Sequence, residues 1–410
     1  MIEQEFARVA GGYTMTIAAI ATRFEADQLT WSRGALSGLL TIRTSLPGAR
    51  TYDGDALLVT RHAVTDAKNR TEIARGLEPR VPMPVGSELD WFGFLEAFDQ
   101  QILAAEREGE PAVFLRDLPR PTGVRYLPGA APFLLTDHPV IFFGDGGDLK
   151  SYVLLHLATE ASRAGARILW ADFEFSAEDN RDRLERLCGS AMPDVLYVRC
   201  DRPLSAEVAR LQRIARDHER DYMVVDSAAF ASDGPPEAAE VAAGFFRSLR
   251  QIGLGSAIVA HMTKAENGDQ KPFGSAFWHN GARATWHVKK STPGAVERPT
   301  IGLFNRKTNL GPPLSPVGFE FTFDDDARST SVRRVDVADV AELAERMPLR
   351  QRMTSLLRGG AMTMAQIAAE LDVPVDSIVK TSKRGEGKVF VRVAGSDGIY
   401  RIGLLERIAS

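Results

Sequence analysis

Short apolar runs alternate with segments of helical spacing through the middle of the chain, and polar or turn-forming residues separate them. The predicted strands span residues 140–143, 167–175, 194–198, 222–226, 256–261, 284–289 and 300–304. Helical spacing lies between them, at about 152–165, 179–187, 206–220 and 237–251. Strands that alternate with helices in this way predict the α/β class, with a largely parallel sheet covered by helices.

A different pattern occupies the first part of the chain. Residues 13–17 and 39–43 alternate between apolar and polar positions, which favours half-buried strands, and a short amphipathic segment follows near 66–77. Longer helical spacing runs through 89–108. We therefore expect a small N-terminal α+β domain over 1–115, whose role the sequence does not declare. Two further strands are expected at 125–127 and 132–135.

The pattern changes again after the predicted sheet. Residues 319–323 alternate as an edge strand, and the acidic run 324–326 with the polar residues after it predicts a linker. Three helices and a hairpin are then predicted at 349–357, 363–371, 375–383 and 388–402, with Thr363 as the N-cap of the second helix. This order resembles a winged helix-turn-helix domain over 346–410, in which the third helix commonly enters the major groove.

Positive charge is concentrated in this last segment. Residues 346–410 contain eleven Lys and Arg against six Asp and Glu, whereas the whole chain has a formal net charge of −4. Basic side chains there favour contact with nucleic-acid phosphates. Such contacts add affinity but do not select a nucleotide sequence. A protein-docking module and a merely solvated basic helix remain open as alternatives. The candidate nucleic-acid contacts are Lys380, Lys383, Arg384, Lys388 and Arg392.

The composition excludes several classes of protein. With 44% apolar and 25% charged residues, the 410-residue chain is globular and long enough for two or three domains. A net charge of −4 excludes a generally basic nucleic-acid coat. Cys188 and Cys200 provide neither a disulfide framework nor metal-ligand spacing. No run approaches the ~20 apolar residues of a membrane span, so we expect a cytoplasmic protein without membrane contact.

A glycine-rich loop joins the first strand of the predicted sheet to the helix after it. Its residues are Gly144, Asp145, Gly146, Gly147, Asp148, Leu149, Lys150 and Ser151. Small residues let backbone N–H groups surround phosphate oxygens at the positive end of a helix. In the phosphate-loop motif a lysine reaches the outer phosphates and a hydroxyl ligates Mg²⁺, which are roles for Lys150 and Ser151. The motif has Gly where this chain has Leu149, so an ordinary glycine-rich turn with an exposed lysine is the alternative.

Three polar residues stand where other predicted strands end. Glu174 ends the run 167–175, Asp226 ends the next long apolar run, and His261 ends the run at 256–261. Ligands gather at the carboxyl ends of parallel strands, where an acid can also hold Mg²⁺ through water. Each residue has a simpler reading: Glu174 as a helix cap, Asp226 as a turn stabiliser and His261 as a core imidazole. Their joint occurrence after a glycine loop favours a nucleotide site.

Together these features resemble the RecA-like superfamily of ATPases, and more narrowly its RepA-like and DnaB-like hexameric helicase group. The resemblance covers roughly residues 120–325, and it places an ATPase domain with a RecA-like sheet at 116–330. It rests on the glycine loop, the strand ending 172–174, the segment 222–227, and the runs 261–264 and 271–275. It implies ATP and Mg²⁺ as cofactors, with Lys150 on the phosphates and Ser151 and Asp226 on the metal. Glu174 would be the general base and His261 the sensor.

In such rings a neighbouring subunit supplies cations to the γ-phosphate, and the resemblance places Arg306 and Lys307 at that position. A solvated hairpin tip is the alternative for this pair. The expected function is ATP hydrolysis by a homo-oligomeric, hexameric ring that moves on or remodels nucleic acid, with DNA the expected substrate. A helicase-like replication factor of a phage or mobile element is the leading hypothesis. A non-unwinding regulatory or DNA-loading ATPase and a nucleotide-binding module without hydrolysis are the alternatives.

Overall fold

The structure, a computed structural model, describes residues 3–9, 11–52, 54–82, 88–109, 112–120, 122–123, 125–262, 272, 276–291, 298–395 and 397–405. The chain separates into two compact units. The first comprises Met1–Gly123, Arg202–Asp221 and Phe245–Leu254. The second comprises Val124–Asp201, Tyr222–Gly244 and Gly255–Ser410. The first unit therefore includes two segments that the sequence assigned to 116–330, and the boundary at 115 stays a prediction.

An antiparallel sheet in the order β1-β2-β3-β4-β5 forms the first unit's framework. Its strands are β1 (Glu5–Val9), β2 (Gly12–Ile17), β3 (Thr22–Ser32), β4 (Ala35–Thr44) and β5 (Ala56–Ala63). Buried positions alternate along β4, and these side chains pack against helices α1 (Ala67–Leu77) and α2 (Trp91–Glu108). The α+β character predicted for this region is confirmed.

Nine strands of the described chain form the large sheet of the second unit, in the order β14-β13-β12-β11-β6-β10-β9-β7-β8. They are β6 (Pro139–Gly144), β7 (Ile168–Asp172), β8 (Val195–Arg199), β9 (Tyr222–Asp226), β10 (Gly255–His261), β11 (Ala284–Lys290), β12 (Thr300–Thr308), β13 (Val317–Asp324) and β14 (Ser329–Val335). The pairs from β8 to β11 are parallel and those from β11 to β14 are antiparallel. The predicted α/β class, with a parallel-rich sheet and flanking helices, is confirmed.

The helices between these strands begin close to where the apolar spacing predicts. The predicted ones are α3 (Lys150–Arg163), α4 (Ala177–Cys188), α5 (Leu204–Asp217) and α7 (Ala239–Ile252), and the short helices α6 (Ala228–Ala231) and α8 (Ala276–Gly281) were not predicted. Helix α3 contacts β6 and β10, and its inner face joins the core of the sheet through Val153, Leu154 and Leu157. Burying such a face brings the first turn of α3 to the carboxyl end of β6, where the glycine loop lies.

Two expectations about the borders of this sheet were wrong. Residues 324–326 are not a linker, because Asp324 ends β13 and the residues after it form the hairpin turn to β14, where Asp324 Oδ1 accepts the N–H of Ala327 at 2.8 Å. The edge strand is therefore β14 and not 319–323. The strands expected at 125–127 and 132–135 reduce to one bridge between Tyr126 and Leu135, because the residues between them form turns.

Helix α9 (Ala341–Ala344) leads to the C-terminal segment, which contains three helices and a hairpin. These are α10 (Leu349–Leu357), α11 (Met364–Leu371), α12 (Val375–Gly385), β15 (Phe390–Ala394) and β16 (Tyr400–Leu404). Thr363 caps α11 through a reciprocal capping box with Gln366, as predicted. Their small core includes Met353, Ile378 and Phe390. The element order agrees with the sequence, and the identification as a winged helix-turn-helix domain stays a prediction.

Candidate active site

The glycine loop runs from the end of β6 to the first turn of α3. Gly144 has no space for a side chain, because a Cβ there would collide with the carbonyl oxygen of Val288 on β11. Gly147 and Leu149 both adopt left-handed backbone, with φ of 80° and 57°. This geometry explains why the phosphate-loop motif has glycine at the position of Leu149, since left-handed backbone costs other residues ~1–2 kcal/mol. The Leu149 side chain packs against the sheet core.

Several donors of the loop are free to bind an anion. Within the described part of the chain, the backbone N–H groups of Gly147, Lys150 and Ser151 donate to no acceptor. Lys150 is buried, and its Nζ donates to the carbonyl oxygen of Asp145 at 2.7 Å. The loop borders a cavity of about 290 Å³ that is lined by Gly146, Gly147, Lys150, Ser151, Glu174 and His261, among others. The loop therefore leaves room for phosphate groups beside unused donors.

Ser151 lines this cavity and contacts Asp226. The Ser151 hydroxyl donates to Asp226 Oδ1 at 3.1 Å, although 75 residues separate them. Asp226 is fully buried at the end of β9, and its Oδ2 has no hydrogen-bond partner in the described chain. Burial is the main cause that raises the pKa of Asp226 to about 7; the hydrogen bond from Ser151 opposes the rise, and the charge of Glu174 contributes to it. A buried carboxylate oxygen without a partner fits a bound cation, which would compensate the desolvated charge.

Glu174 reaches the same cavity from the turn after β7. Its backbone N–H donates to Asp172 Oδ1 at 2.9 Å, and the N–H of Phe175 donates to the same oxygen at 2.9 Å. Asp172 is itself fully buried, and Asn180 and Tyr197 donate to its other oxygen at 2.8 and 3.1 Å. The buried carboxylate thus fixes the turn that carries the exposed Glu174. Sequence reasoning gave Asp172 no role, although an acid that ends a buried apolar run was the available signal.

Arg183 is a further cavity residue that sequence reasoning missed. From helix α4 its guanidinium lies 4.3 Å from the ring centroid of Phe175 and 5.5 Å from that of Tyr152. These cation–π contacts hold the side chain over the cavity wall. A solvated helix face is the usual place for an arginine, so no sequence signal distinguished it from its neighbours.

His261 lies at the end of β10 and lines the cavity, as the strand-end pattern predicts. Burial lowers the pKa of His261, and the ammonium of Lys150 lowers it further. The imidazole is therefore neutral near pH 7, which suits a group that senses a phosphate through a hydrogen bond. Of the run 261–264 and 271–275, only His261, Met262 and Pro272 belong to the described residues.

Two loop carboxylates are tied to the end of β11. Lys289 Nζ lies 3.3 Å from Asp145 Oδ2, and the N–H of Lys290 donates to Asp148 Oδ1 at 3.2 Å. Asp148 Oδ2 accepts the N–H of Asp145 at 3.0 Å. Burial raises the pKa of Asp148, whereas the N–H of Lys290 and the charge of Lys289 oppose the rise. Lys289 offsets negative charge in a loop whose proposed ligand is an anion, and the sequence gave no indication of this role.

Arg306 and Lys307 differ although they are adjacent on β12. Arg306 is exposed. The ammonium of Lys307 donates to the carbonyl oxygens of His279, Asn280 and Ala282 at 2.8, 3.0 and 2.8 Å. Three bonds use every proton of a lysine ammonium, so Lys307 holds the end of helix α8. The ammonium of Lys307 is thus occupied within its own chain, whereas Arg306 is exposed, and contact of either residue with a neighbouring subunit stays a prediction.

The basic residues predicted to contact nucleic acid lie on the surface of the C-terminal segment. All five are exposed, and within the described chain their side chains make no hydrogen bond or ion pair. They are Lys380, Lys383, Arg384, Lys388 and Arg392. Exposed cations without partners are free to contact phosphates, so their role as nucleic-acid contacts stays a prediction that the geometry allows.

Two further features are absent from the described part of the chain. The described residues contain no group of three or more His, Cys, Asp and Glu side chains arranged to hold a metal ion. No helix in the described part of the chain combines the length and the hydropathy needed to cross a bilayer.

Comparisons with known proteins give a limited likeness. No protein-family model matches the chain. A DNA repair protein RadA from Halalkalibacterium halodurans is 26% identical over 175 residues, which is 40% of this chain and 35% of that protein. A KaiC-like protein from Pyrococcus horikoshii OT3 aligns with a TM-score of 0.40 and 14% identity, covering 51% of this chain and 99% of its own. A second solved structure, of an ATPase domain, aligns with a TM-score of 0.42 and 10% identity, covering 57% of this chain and 97% of its own. The chain thus spans about a third of the length of the curated relative that it matches.

Proposed function

We propose that the protein is a Mg²⁺-dependent ATPase of the RecA-like type, which couples ATP hydrolysis to movement along nucleic acid or to its remodelling. The observation that carries the proposal is the contact between the Ser151 hydroxyl and the buried Asp226 carboxylate, beside a cavity that Lys150 and Glu174 also line. A phosphate cradle, a cation-binding pair and an acid facing the same space are the parts that phosphoryl transfer to water needs.

The loop supplies the phosphate cradle. The free N–H groups of Gly147, Lys150 and Ser151 point to an anion at the positive end of α3. Lys150 would exchange its bond to the Asp145 carbonyl oxygen for the β- and γ-phosphates. Since the ammonium is already buried, the charge-assisted bonds to phosphate form with little further desolvation.

Ser151 and Asp226 would hold Mg²⁺, because the buried Oδ2 of Asp226 has no hydrogen-bond partner among the described residues and suits a cation. When bound, Mg²⁺ neutralises charge that develops on the phosphate oxygens. Glu174 would orient the attacking water and accept its proton, while Asp172 keeps the turn of Glu174 in place. His261, which is neutral, would hydrogen-bond the terminal phosphate.

Arg306 is our candidate for a contact in trans. It is exposed on β12, so a neighbouring copy of the chain could receive it at the γ-phosphate. A cation supplied in this way accelerates hydrolysis by about 10³- to 10⁵-fold and makes turnover depend on assembly. We therefore propose a homo-oligomer, in the form of a hexameric ring. Mass measurement with and without ATP and Mg²⁺ tests this, and a persistent monomer would contradict it.

The nucleic-acid part of the proposal depends on the C-terminal cations. In our leading candidate function, a helicase-like replication factor of a phage or mobile element, these cations keep the protein on DNA while the ring moves. The likeness to a protein named for DNA repair favours DNA and supports a second candidate, an ATPase that remodels or loads DNA without unwinding it. Strand-displacement assays with and without residues 347–410 separate the two candidates.

The first experiment is ATP turnover by the purified chain, with and without Mg²⁺ and single-stranded DNA. The proposal expects turnover that requires Mg²⁺ and rises with DNA. Lys150→Ala should abolish turnover, because the charge on the outer phosphates is then unbalanced. Binding of ATP without turnover in the unaltered protein would instead support the nucleotide-binding module without hydrolysis.

A further inference from the structure

A cavity of about 550 Å³ lies between the last hairpin of the large sheet and helix α10. The hairpin side contributes the loop before β13 and the end of β14, and the helix side contributes the first two turns of α10. A cavity of this volume can enclose a small organic ligand or one nucleotide. The phosphate loop does not line it, so it is separate from the site described above.

The cavity has an excess of positive charge. Arg334, Arg350 and Arg358 line it, and Asp336 is the one carboxylate among its described lining residues. Asp336 is already engaged, because its Oδ2 accepts from Arg358 at 3.0 Å and its Oδ1 accepts the N–H of Ala338 at 3.0 Å. Arg334 and Arg350 are exposed and have no hydrogen-bond or ion-pair partner for their side chains in the described chain. Two guanidinium groups without counter-ions suit phosphate, which their planar donors bind in pairs.

Gln351 adds a second requirement. Gln351 is among the lining residues of the cavity, and its Oε1 is buried without a hydrogen-bond partner in the described chain. A buried acceptor needs a donor, and a phosphate group in its ionised form has none to offer. A ligand that satisfies both the arginines and Gln351 therefore carries anionic oxygens together with a hydroxyl or amino group. The remaining wall offers apolar surface to a sugar or base, from Val317, Val335, Met347 and Val389.

We propose that this cavity binds a nucleoside phosphate, with Arg334 and Arg350 on the phosphate and Gln351 on a donor of the sugar or base. The ligand is either one unit of a nucleic-acid strand or a free nucleotide. Binding of a nucleic-acid strand rests on the proposed nucleic-acid function, whereas binding of a free nucleotide does not.

The test uses the full chain and two probes, a fluorescent DNA strand of about 20 nucleotides and free AMP. The double variant Arg334→Gln/Arg350→Gln should bind one of them at least about tenfold more weakly. For the strand, the slope of log affinity against log salt should also fall by about 1.4, since each lost single-strand contact removes about 0.7. Arg333→Gln is the matched control, because Arg333 is the adjacent β14 residue and pairs with Glu320 at 3.0 Å. It should leave both affinities within about twofold.

A change in strand affinity identifies a nucleic-acid site, and a change in AMP affinity alone identifies a free-nucleotide site. Equal binding of both probes by the double variant and the unaltered chain would overturn the proposal, as would failure of the unaltered chain to bind either probe. Gln351→Leu gives a further check that leaves the charge intact, and it should weaken the same probe. Lys150→Ala should lose ATP turnover yet keep this binding, so failure of the phosphate-loop proposal is distinguishable from failure here.

Discussion

The glycine loop and the C-terminal helices carry their charges in opposite ways. Around the loop, Lys150, Asp148 and Asp226 are buried, and each has a named partner or an oxygen that requires one. On helix α12 and the adjacent hairpin, the basic residues named above are exposed and without partners in the described chain. Because buried charges are held by specific partners, removal of one group impairs the whole arrangement. Exposed charges each add a separate contribution to binding, and salt screens those contributions. The first arrangement suits chemistry, and the second suits attraction to a long polyanion.

The largest effect is expected at Glu174. Glu174→Gln keeps the size of the side chain but cannot accept a proton, so ATP turnover should fall by about 10²- to 10⁴-fold with ATP affinity nearly unchanged. Turnover and nucleotide binding are measured separately. Glu178→Gln is the control, because Glu178 is an exposed acid in the first turn of the helix that follows. Unchanged turnover in Glu174→Gln would remove the assignment of Glu174 as general base.

The next effect concerns stability against pH, and it depends on the buried His287. His287 lies on β11 and stacks on Phe143 with ring centroids 5.2 Å apart. Burial is the main cause that lowers the pKa of His287 to about 4; the charges of Arg306, Arg346 and Lys289 contribute to the shift, and that of Asp145 opposes it. The unfolded chain then binds more protons than the folded chain between pH 6.5 and 4, so stability is lost as pH falls through this window. The expected loss is about 3 kcal/mol.

Denaturant unfolding at several pH values measures this contribution. His287→Gln should flatten the dependence between pH 6.5 and 4, whatever its effect on stability near neutral pH. His138→Gln, a matched substitution just before β6, should leave the slope unchanged. An equally steep slope in His287→Gln would show that another group controls acid sensitivity.

A smaller effect is expected on the exposed surface. Lys383→Ala/Arg384→Ala should weaken DNA binding by about tenfold at moderate salt and lower the salt slope by about 0.9 for each lost duplex contact. Basal ATP turnover should not change, because solvent and salt screen the glycine loop from exposed charges elsewhere on the surface. Fluorescence anisotropy over a salt series gives both numbers. Lys68→Ala removes an exposed cation from α1 and should change neither the DNA affinity nor the salt slope. An equal loss of DNA affinity in Lys68→Ala would mean that the C-terminal cations have no special role.

The smallest effect is expected at Leu149, where the glycine loop departs from the phosphate-loop motif. Leu149→Ala keeps the left-handed strain and removes the packed side chain, whereas Leu149→Gly also removes the strain. We expect the glycine variant to be more stable than the alanine variant by about 1 kcal/mol. Thermal unfolding of the two variants provides the comparison. A more stable alanine variant would contradict a left-handed residue at this position.

Much of the candidate site was predictable because its parts are local in sequence. The glycine loop, Glu174 just after β7, Asp226 at the end of β9 and His261 at the end of β10 all follow from where apolar runs stop. Residues that act through distant partners were not predictable. Asp172 looked like an ordinary strand residue until its four donors were known. Lys307 looked like a free cation, yet its ammonium donates hydrogen bonds to three carbonyl oxygens of another segment.

The sequence by itself determined the α/β class, the position of the glycine loop and the order of the C-terminal elements. These depend on periodicity and on local turn chemistry, which are properties of neighbouring residues. Only the tertiary structure decided that Ser151 meets Asp226, that Lys289 reaches the loop carboxylates, and that Arg334 and Arg350 share a cavity. Strand order and helix packing fix those distances, and neither is encoded in the spacing of residues along the chain.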